Sequence, residues 1–476
     1  MNRAGDLEDL GELVIQTLSK SGVEYGEARL CVERAQTFSV NTGELEPASF
    51  ISRKGIGIRA LVEGSLGFAS TNVLDGATVR EAALKSVKLA KASIRRSKTP
   101  ISLSSEDIRE EQWRTRIKVN PLNVNVEEKI SLLRDLDGVA SEGGCPKRIL
   151  SVCESMESSL LITTEGVRVS GETVRVSFTG LLTAITSSGS AQRIIQKGET
   201  SGWEAIGRWR LPDLIRDEAK TLKEVAECTK SSPTGLMDLI LGPEVVGIIC
   251  HEACGHPQEA DRILGREAAQ AGESYISPEM IGYKIGSDAV TIIDDPTLEN
   301  GFGSYLFDDE GVKARPRILI EEGRINEFLH NRETASHFGC NSNASARAIG
   351  YDREPIIRMA NTYMRPGGYL FQELFEDVDD GVFIKSFMEW NIDDKRWNQR
   401  YVGLEAFRIR KGEVMERIRD PVLEITTSNL FRSVDAASRE VEFEAAICGK
   451  GDPMQGAPVW HGGPTIRLRG VRLSRR

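Results

Sequence analysis

The sequence predicts an α+β protein: an N-terminal, two-lobed α/β region with antiparallel sheet, followed by a β-rich C-terminal domain that carries a buried, histidine-bearing helix. Two observations point there. Helical spacing followed by short alternating runs occurs twice before residue 235, and a polar, proline-bearing stretch separates the two occurrences. The expected domains are residues 1–100, 101–235 and 236–476.

Residues 6–20 set Leu7, Leu10, Leu13, Val14 and Leu18 at the spacing of an amphipathic helix. Between Glu27 and Thr71 the pattern turns β-rich, with Ala28 to Val32 as one run and Gly57 to Val62 as another ahead of a Glu63-Gly64 turn. A second helix, about 78–96, buries Val79, Ala83, Val87, Ala90 and Ile94 and ends in a basic cluster, Arg95, Arg96 and Lys98. Residues 98–124 contain Pro100 and Pro121 and show no sustained period, which predicts a linker. Asn125 can cap a helix carrying Ile130, Leu132, Leu133 and Leu136. Strands about the Glu165-Gly166 turn follow, and a helix over about 212–228 buries Leu214, Ile215, Leu222 and Val225. Ser231 to Gly235 reads as a boundary.

Length and charge bound the function. The 476 residues leave room for two or three domains at roughly 150 residues each. A net charge of −10 makes nucleic acid an unsuitable main partner. Eight cysteines are too sparse for a disulfide framework and too irregular for Cys-x-x-Cys zinc modules, which favours a reducing cytoplasm. The acidic N-terminus lacks the apolar stretch of a secretory signal. The most apolar stretch, 236–249, is interrupted by Asp238, Gly242, Pro243 and Glu244, so no membrane span is expected.

Two of only five histidines fall in His251-Glu252-Ala253-Cys254-Gly255-His256. Zinc-binding His-Glu-x-x-His motifs put ligands four apart, about 40° around a helix; at a separation of five the angle is about 140°, too wide to share an ion on a regular α-helix. The spacing therefore demands a distortion, and a π-bulge would repair it. Gly242-Pro243 starts the helix, and Pro257 biases His256 away from helical geometry, toward a frayed end. A zinc ion held there would lower the pKa of its water toward about 7, and Glu252 could take the proton during attack on a carbonyl, which makes amide hydrolysis the natural reading. A catalytic zinc takes three protein ligands. Spacing leaves the third open among His330, His337, His461, Cys448, Glu259 and Asp261.

These residues resemble the TldD/PmbA family of metalloproteases, on its metal-binding TldD side. The likeness extends to Gly55-Ile56-Gly57-Ile58-Arg59 and Gly67 to Asn72, to Phe307-Asp308-Asp309-Glu310-Gly311, to Arg358 through Met364, and to Ile447-Cys448-Gly449-Lys450 with Gly463-Pro464-Thr465. The resemblance implies Zn2+ held by His251, His256 and Cys448, with Glu252 as catalytic base. It also implies hydrolysis of unfolded or short peptides in a shared chamber, by a homodimer or a heterodimer with a related subunit lacking the metal motif. A thiolate ligand suits zinc at about 2.3 Å but leaves the ion a weaker Lewis acid than three neutral imidazoles would. The competing reading is a non-catalytic peptide-binding or assembly subunit with a closed structural metal site.

Other signals carry less. Ala60 stands where a third glycine would complete a phosphate loop, and the surroundings read as strand. Cys250 and Cys254 read as small apolar residues in a buried helix. Arg358, Asn361 and Tyr363 are candidates for holding substrate backbone, or alternatively for anchoring a strand end. Glu259 and Asp261 are placed to orient an imidazole. The arginines at 467, 469, 472, 475 and 476 read as a solvated final strand.

Overall fold

The computed structural model describes residues 4–95, 99–267 and 272–476. The N-terminal region begins with α1 (Ala4–Lys20), β1 (Tyr25–Asn41), β2 (Ser49–Val62), β3 (Ser65–Thr71) and α2 (Gly76–Ser93). Glu63 and Gly64 both take positive φ, 46° and 69°, as a two-residue turn between β2 and β3 requires. The Asp75 side chain accepts the Ala77 and Thr78 N–H groups at the start of α2. Arg95 follows the helix, whereas Arg96 and Lys98 of the expected basic cluster lie outside the described residues.

The next elements are β4 (Glu110–Arg114), α3 (Val126–Glu142), β5 (Lys147–Thr163), β6 (Arg168–Ile185), β7 (Ser190–Glu199) and α4 (Leu211–Glu227). Asn125 caps α3 by accepting the Glu127 N–H at 3.1 Å. The expected lobes are two cores on one sheet. β1 pairs antiparallel with β5 from Glu27↔Thr163 to Asn41↔Ile149, so the eight-stranded sheet is continuous, in the order β3-β2-β1-β5-β6-β4, with β7 also on β6 and the short strand Glu44–Leu45 on the end of β1. The first half of β1 packs Leu30 with Val14, Ile58 and Val87; its second half packs Phe38 with Leu136, Val152 and Ile215. The expected linker is a packed strap. Within it β4 pairs parallel with Arg168–Glu172, and Ser104 accepts Arg332 Nε at 2.9 Å. Glu-Glu-Gln-Trp-Arg has almost no apolar alternation, so only its partner strand makes β4 a strand.

The C-terminal half is β-rich. Its nine-stranded sheet contains β8 (Gly235–Leu241), and α5 (Pro243–Ile249) follows from Gly242 with Pro243 in its first turn. Further strands are β9 (Ile292–Asp294), β10 (Asn361–Met364), β11 (Asp380–Ile384), β12 (Phe387–Ile392), β13 (Asn398–Gly403), β14 (Pro421–Thr426), β15 (Glu442–Lys450), β16 (Gln455–Gly463) and β17 (Ile466–Arg475). β12 edges the nine-stranded sheet, which runs on through β13, β14, β17, β8 and β11; β15 edges a six-stranded sheet beside β16, which runs parallel to β10. The last strand is not a solvated edge. β17 lies between β14 and β8, Arg467 is buried, and Arg467 and Arg469 both pair with Asp435. Reading all five arginines as solvent-facing missed that Arg467 and Arg469 are paired with a carboxylate from another segment; Arg472, Arg475 and Arg476 are exposed, as expected.

Two of the stretches that carry the family resemblance, around Arg59 and around Glu310, meet where the halves dock. Arg59 on β2 donates to Glu27 at 3.0 and 2.8 Å and to Glu310 at 2.8 Å, and the other Glu310 oxygen accepts the Arg332 N–H at 2.8 Å. Gly57 lies so near the Tyr351 carbonyl that a Cβ there would stand 2.3 Å from its oxygen, which is why the strand carries glycine at this crossing. Burial opposes the Glu27 charge, but Arg59 outweighs it and holds the carboxyl below its usual range. Replacing Arg59 by Met strands two buried carboxylates, and we expect a loss of about 3–5 kcal/mol, read by denaturant unfolding. Because the Glu27 pKa is depressed on folding, its stabilising contribution is present above the ordinary glutamate value and lost as pH falls through the folded one. Thermal melts of the wild-type chain should therefore drop more steeply below pH 4.5 than those of Arg59→Met; parallel curves would remove Arg59 as the cause.

Candidate metal centre

The helix α5 buries Val245, Val246, Ile248 and Ile249 and runs without a break into a π-turn, Cys250–Gly255. The His256 N–H donates to the His251 carbonyl, an i→i+5 bond. That bond overlays residues five apart, and the two rings meet edge to face with centroids 4.8 Å apart. The expected distortion is present. The expected fraying is not: His256 has φ −60° and ψ −43°, and Pro257 sits inside a 3₁₀ turn, His256–Gln258. Proline lacks a donor, and the wider π-turn leaves no hydrogen bond at that place for it to break. Two contacts support the turn. Tyr275 donates its hydroxyl to the Ala253 carbonyl at 3.0 Å, and Gly255 admits Met359, whose sulfur would stand 1.9 Å from a Cβ there. Cys250 and Cys254 are fully buried, and burial pushes both thiols up.

Cys448 arrives from β15, with its Sγ 3.3 Å from His256 Nε2. One donor atom each from His251, His256 and Cys448 lie within 4.8 Å of one another. Metal bonds of about 2.0–2.1 Å to nitrogen and 2.3 Å to sulfur put tetrahedral N and S about 3.5 Å apart, close to the 3.3 Å between His256 and Cys448, and the chemistry of the three donors suits a metal ion. The buried Nδ1 of His251 has no hydrogen-bond partner in the protein. Burial lowers the His251 pKa, favouring the neutral ring that a metal needs. Burial opposes the Cys448 thiolate, but His256 and Arg358 outweigh it and bring its pKa to about 7. Of the other ligand candidates, His461 on β16 lies 6.0 Å from the His251 ring, and burial drives its pKa to about 3. His330 bonds Thr334 beside Phe338, and His337 meets Phe338 edge to face, so both belong to another part of the domain.

Around these three residues lies a buried charge network. Glu259 holds His256 Nδ1 at 3.0 Å, directing Nε2 toward Cys448. The same carboxylate oxygen takes Arg262 at 2.6 Å and faces Lys450 Nζ at 3.3 Å. Lys450 also binds Asp261 at 2.8 and 2.7 Å. Burial alone would raise the Glu259 pKa, but Lys450, His256 and Arg262 hold it far below the usual range. Lys450 stands two residues after Cys448, so the strand period places both on one face and ties the thiol to the imidazole's support. That signal was in the sequence.

Glu252 has no such relation to its partner. Arg396, 144 residues away in the loop between β12 and β13, donates Nη1 to Glu252 Oε2. Against burial, the charges of His256 and Arg396 lower the Glu252 pKa. Nothing in the local sequence marks Arg396. A cavity of about 450 Å³ opens before the site, lined by His251, Glu252, His256, Cys448, His461 and Arg396. Ile194, Met388, Trp390 and Ile447 form an exposed apolar rim on it.

Arg358, Asn361 and Tyr363 do not line this cavity. Arg358 donates to the Gln455 carbonyl at 2.6 Å and to the Cys448 carbonyl, clamping both strands of the hairpin that carries the thiol. Asn361 is spent on the Asp295 carbonyl at 2.6 Å and the Gly303 N–H at 3.0 Å. Tyr363 is half-buried against Phe443. β10, which carries Asn361 and Tyr363, lies two strands inside the β15 edge.

Comparison with known proteins bears on the whole chain. Three PmbA/TldA metallopeptidase domains match it: domain 1 over residues 26–90, the central domain over 119–229 and the C-terminal domain over 234–475. A metalloprotease of Methanothermobacter thermautotrophicus is 32% identical over 472 residues, covering 98% of this chain and 99% of that one. A protein of Saccharolobus solfataricus named zinc metalloprotease TldD homolog is 31% identical over 240 residues, covering 50% of this chain and 52% of its own. The solved structure of TldE from Thermococcus kodakarensis shares the fold, with a TM-score of 0.73 at 18% identity over 98% of this chain and 100% of that one. The chain belongs to the PmbA/TldD family of metallopeptidases.

Proposed function

We propose that the protein is a zinc-dependent peptidase acting on unfolded or short peptides, with His251, His256 and Cys448 as metal ligands and Glu252 as general base. The observation that carries this reading is the convergence of two imidazoles and a thiol on one cavity with a carboxylate beside them. The name of the Saccharolobus solfataricus relative supports zinc over other divalent ions. When bound, zinc supplies Lewis acidity and makes a water molecule an effective nucleophile near neutral pH.

The chain's own residues do the rest. Glu259 fixes the His256 ring, and Lys450 joins that support to the strand of Cys448. Glu252 has one oxygen engaged by Arg396, leaving the other to accept a proton from water and return it to a leaving amine. Substrate backbone meets unpaired strand edges on two sides: β12 and β15 both line the cavity and both end their sheets. The apolar rim suits side chains that only an unfolded or short chain exposes.

The same reading makes the protein one half of a pair, a homodimer or a heterodimer with a related subunit lacking the metal motif, and the shared fold with TldE supports the latter. It places the protein in the cytoplasm, where Cys448 stays reduced. No described helix is long and apolar enough to cross a membrane.

Glu252→Gln should lower turnover of an unstructured peptide by about 10²–10⁴-fold while elemental analysis still finds one metal per chain; undiminished turnover would leave the structural-site alternative standing. Chelation should abolish wild-type activity and added zinc restore it. Glu259→Gln should weaken metal binding by about 10–100-fold in competition with a chromophoric chelator, and an unchanged affinity would remove Glu259 from the support of His256.

A further inference from the structure

Arg396 is held in a conformation that its own sequence does not favour. Its φ is +61°, in the left-handed region that a residue with a long side chain seldom adopts. Several contacts impose it. The Arg396 carbonyl accepts Gln399 Nε2 at 2.9 Å and Thr427 Oγ1 at 2.8 Å, and its N–H donates to the Asp393 carbonyl at 2.9 Å. Asp393 also accepts the Trp397 N–H at 2.8 Å, and Gln399 is itself held by the Tyr401 hydroxyl at 3.0 Å. Gln399 and Thr427 are buried, so this framework is part of the domain interior. The positive φ is that of the residue closing the β12–β13 hairpin turn, and the contacts to Gln399 and Thr427 fix where that turn aims the side chain.

The imposed conformation sends the guanidinium to the cavity wall. Arg396 is 6% exposed, Nη1 is engaged by Glu252, and the buried Nε has no partner. The edge of a guanidinium that carries Nε and Nη2 offers two parallel N–H groups. A buried donor without a partner is costly unless something else supplies an acceptor. A peptide in the cavity brings carbonyl oxygens, and the oxygen at the cleaved bond gains negative charge as water adds.

We propose that Arg396 is a substrate-contacting residue of the peptidase: it orients Glu252 through Nη1 and receives a substrate backbone carbonyl on its Nε edge. This inference rests on the proposed peptidase reading, and it names a residue to which neither the motif nor the family likeness pointed. Lysine keeps the charge but not the planar fork, so it cannot make both contacts in the same geometry.

The test uses the full-length, metal-loaded chain and two probes, an unstructured Ala/Ser hexapeptide blocked at both ends and its counterpart with a free C-terminal carboxylate. Arg396→Lys should lower kcat on the blocked peptide by about 10–100-fold with one metal per chain and an unchanged melting temperature. Arg396→Ala should fall further and regain part of its rate with added guanidinium ion. Calorimetric binding of the blocked peptide to Glu252→Gln should be at least fivefold tighter than to the Glu252→Gln/Arg396→Gln double variant. Wild-type kcat in Arg396→Lys, absence of guanidinium rescue in a folded, metal-loaded Arg396→Ala, or equal peptide affinity in the two Glu252→Gln chains, including none in either, overturns the proposal. Arg396-dependent binding of the free-acid peptide alone also overturns it. If the wild-type chain binds peptide through Arg396 yet cleaves nothing, the peptidase reading fails and the Arg396 contact stands.

Discussion

The whole site depends on one hydrogen bond, from the His256 N–H to the His251 carbonyl five residues back. On an ordinary α-helix those side chains would diverge by about 140°. The π-turn brings the rings to 4.8 Å, and the rest of the local structure makes the turn tenable. Ala253 finds a hydroxyl for its carbonyl, Gly255 leaves room for Met359, and Pro257 falls where no helical donor is required. Each of these would be a defect in a regular helix.

From that turn the site is assembled across long sequence distances. Cys448 comes from an edge strand and is held by Arg358, which grips the carbonyls of both strands of its hairpin. Lys450 bridges the same strand to Glu259 and Asp261, so the thiol and the imidazole share a support. Arg396 reaches Glu252 from a third segment. The buried charges here are matched: Glu259 and Asp261 face Lys450 and Arg262, which is what keeps a carboxylate ionised against His256 in an interior that would otherwise neutralise it. The N-terminal sheet docks on this domain through Arg59 and Glu310, and β7 adds Arg193 and Ile194 to the cavity wall, so the N-terminal region helps to shape the cavity as well as to cover the domain.

Much of this was legible in the sequence, for local reasons. Helical periodicity placed α1 to α4 because each buries one face against a sheet, and Asn125 and Gly242-Pro243 mark the starts of α3 and α5. The five-residue histidine spacing required a distortion of the helix by geometry alone. What failed were inferences that local residues cannot settle. The strap over 99–124 has no apolar pattern and is ordered by its neighbours; Arg467 and Arg469 pair with Asp435 from another segment; and Pro257 implies a break that the π-turn absorbs.

By itself, then, the sequence determined the long helices α1 to α4 and the start of α5, the paired histidines with their adjacent carboxylate, and through family likeness the distant cysteine. Only the tertiary structure decided that Arg358 and Asn361 are anchors, that Lys450 ties the ligand strand to Glu259, and that Arg396 faces Glu252. The division follows from the range of the forces involved. Periodicity and capping act within a few residues and leave their mark in composition, whereas a buried ion pair between residues 144 positions apart depends on where two chains of hydrogen bonds end, and no local pattern encodes that.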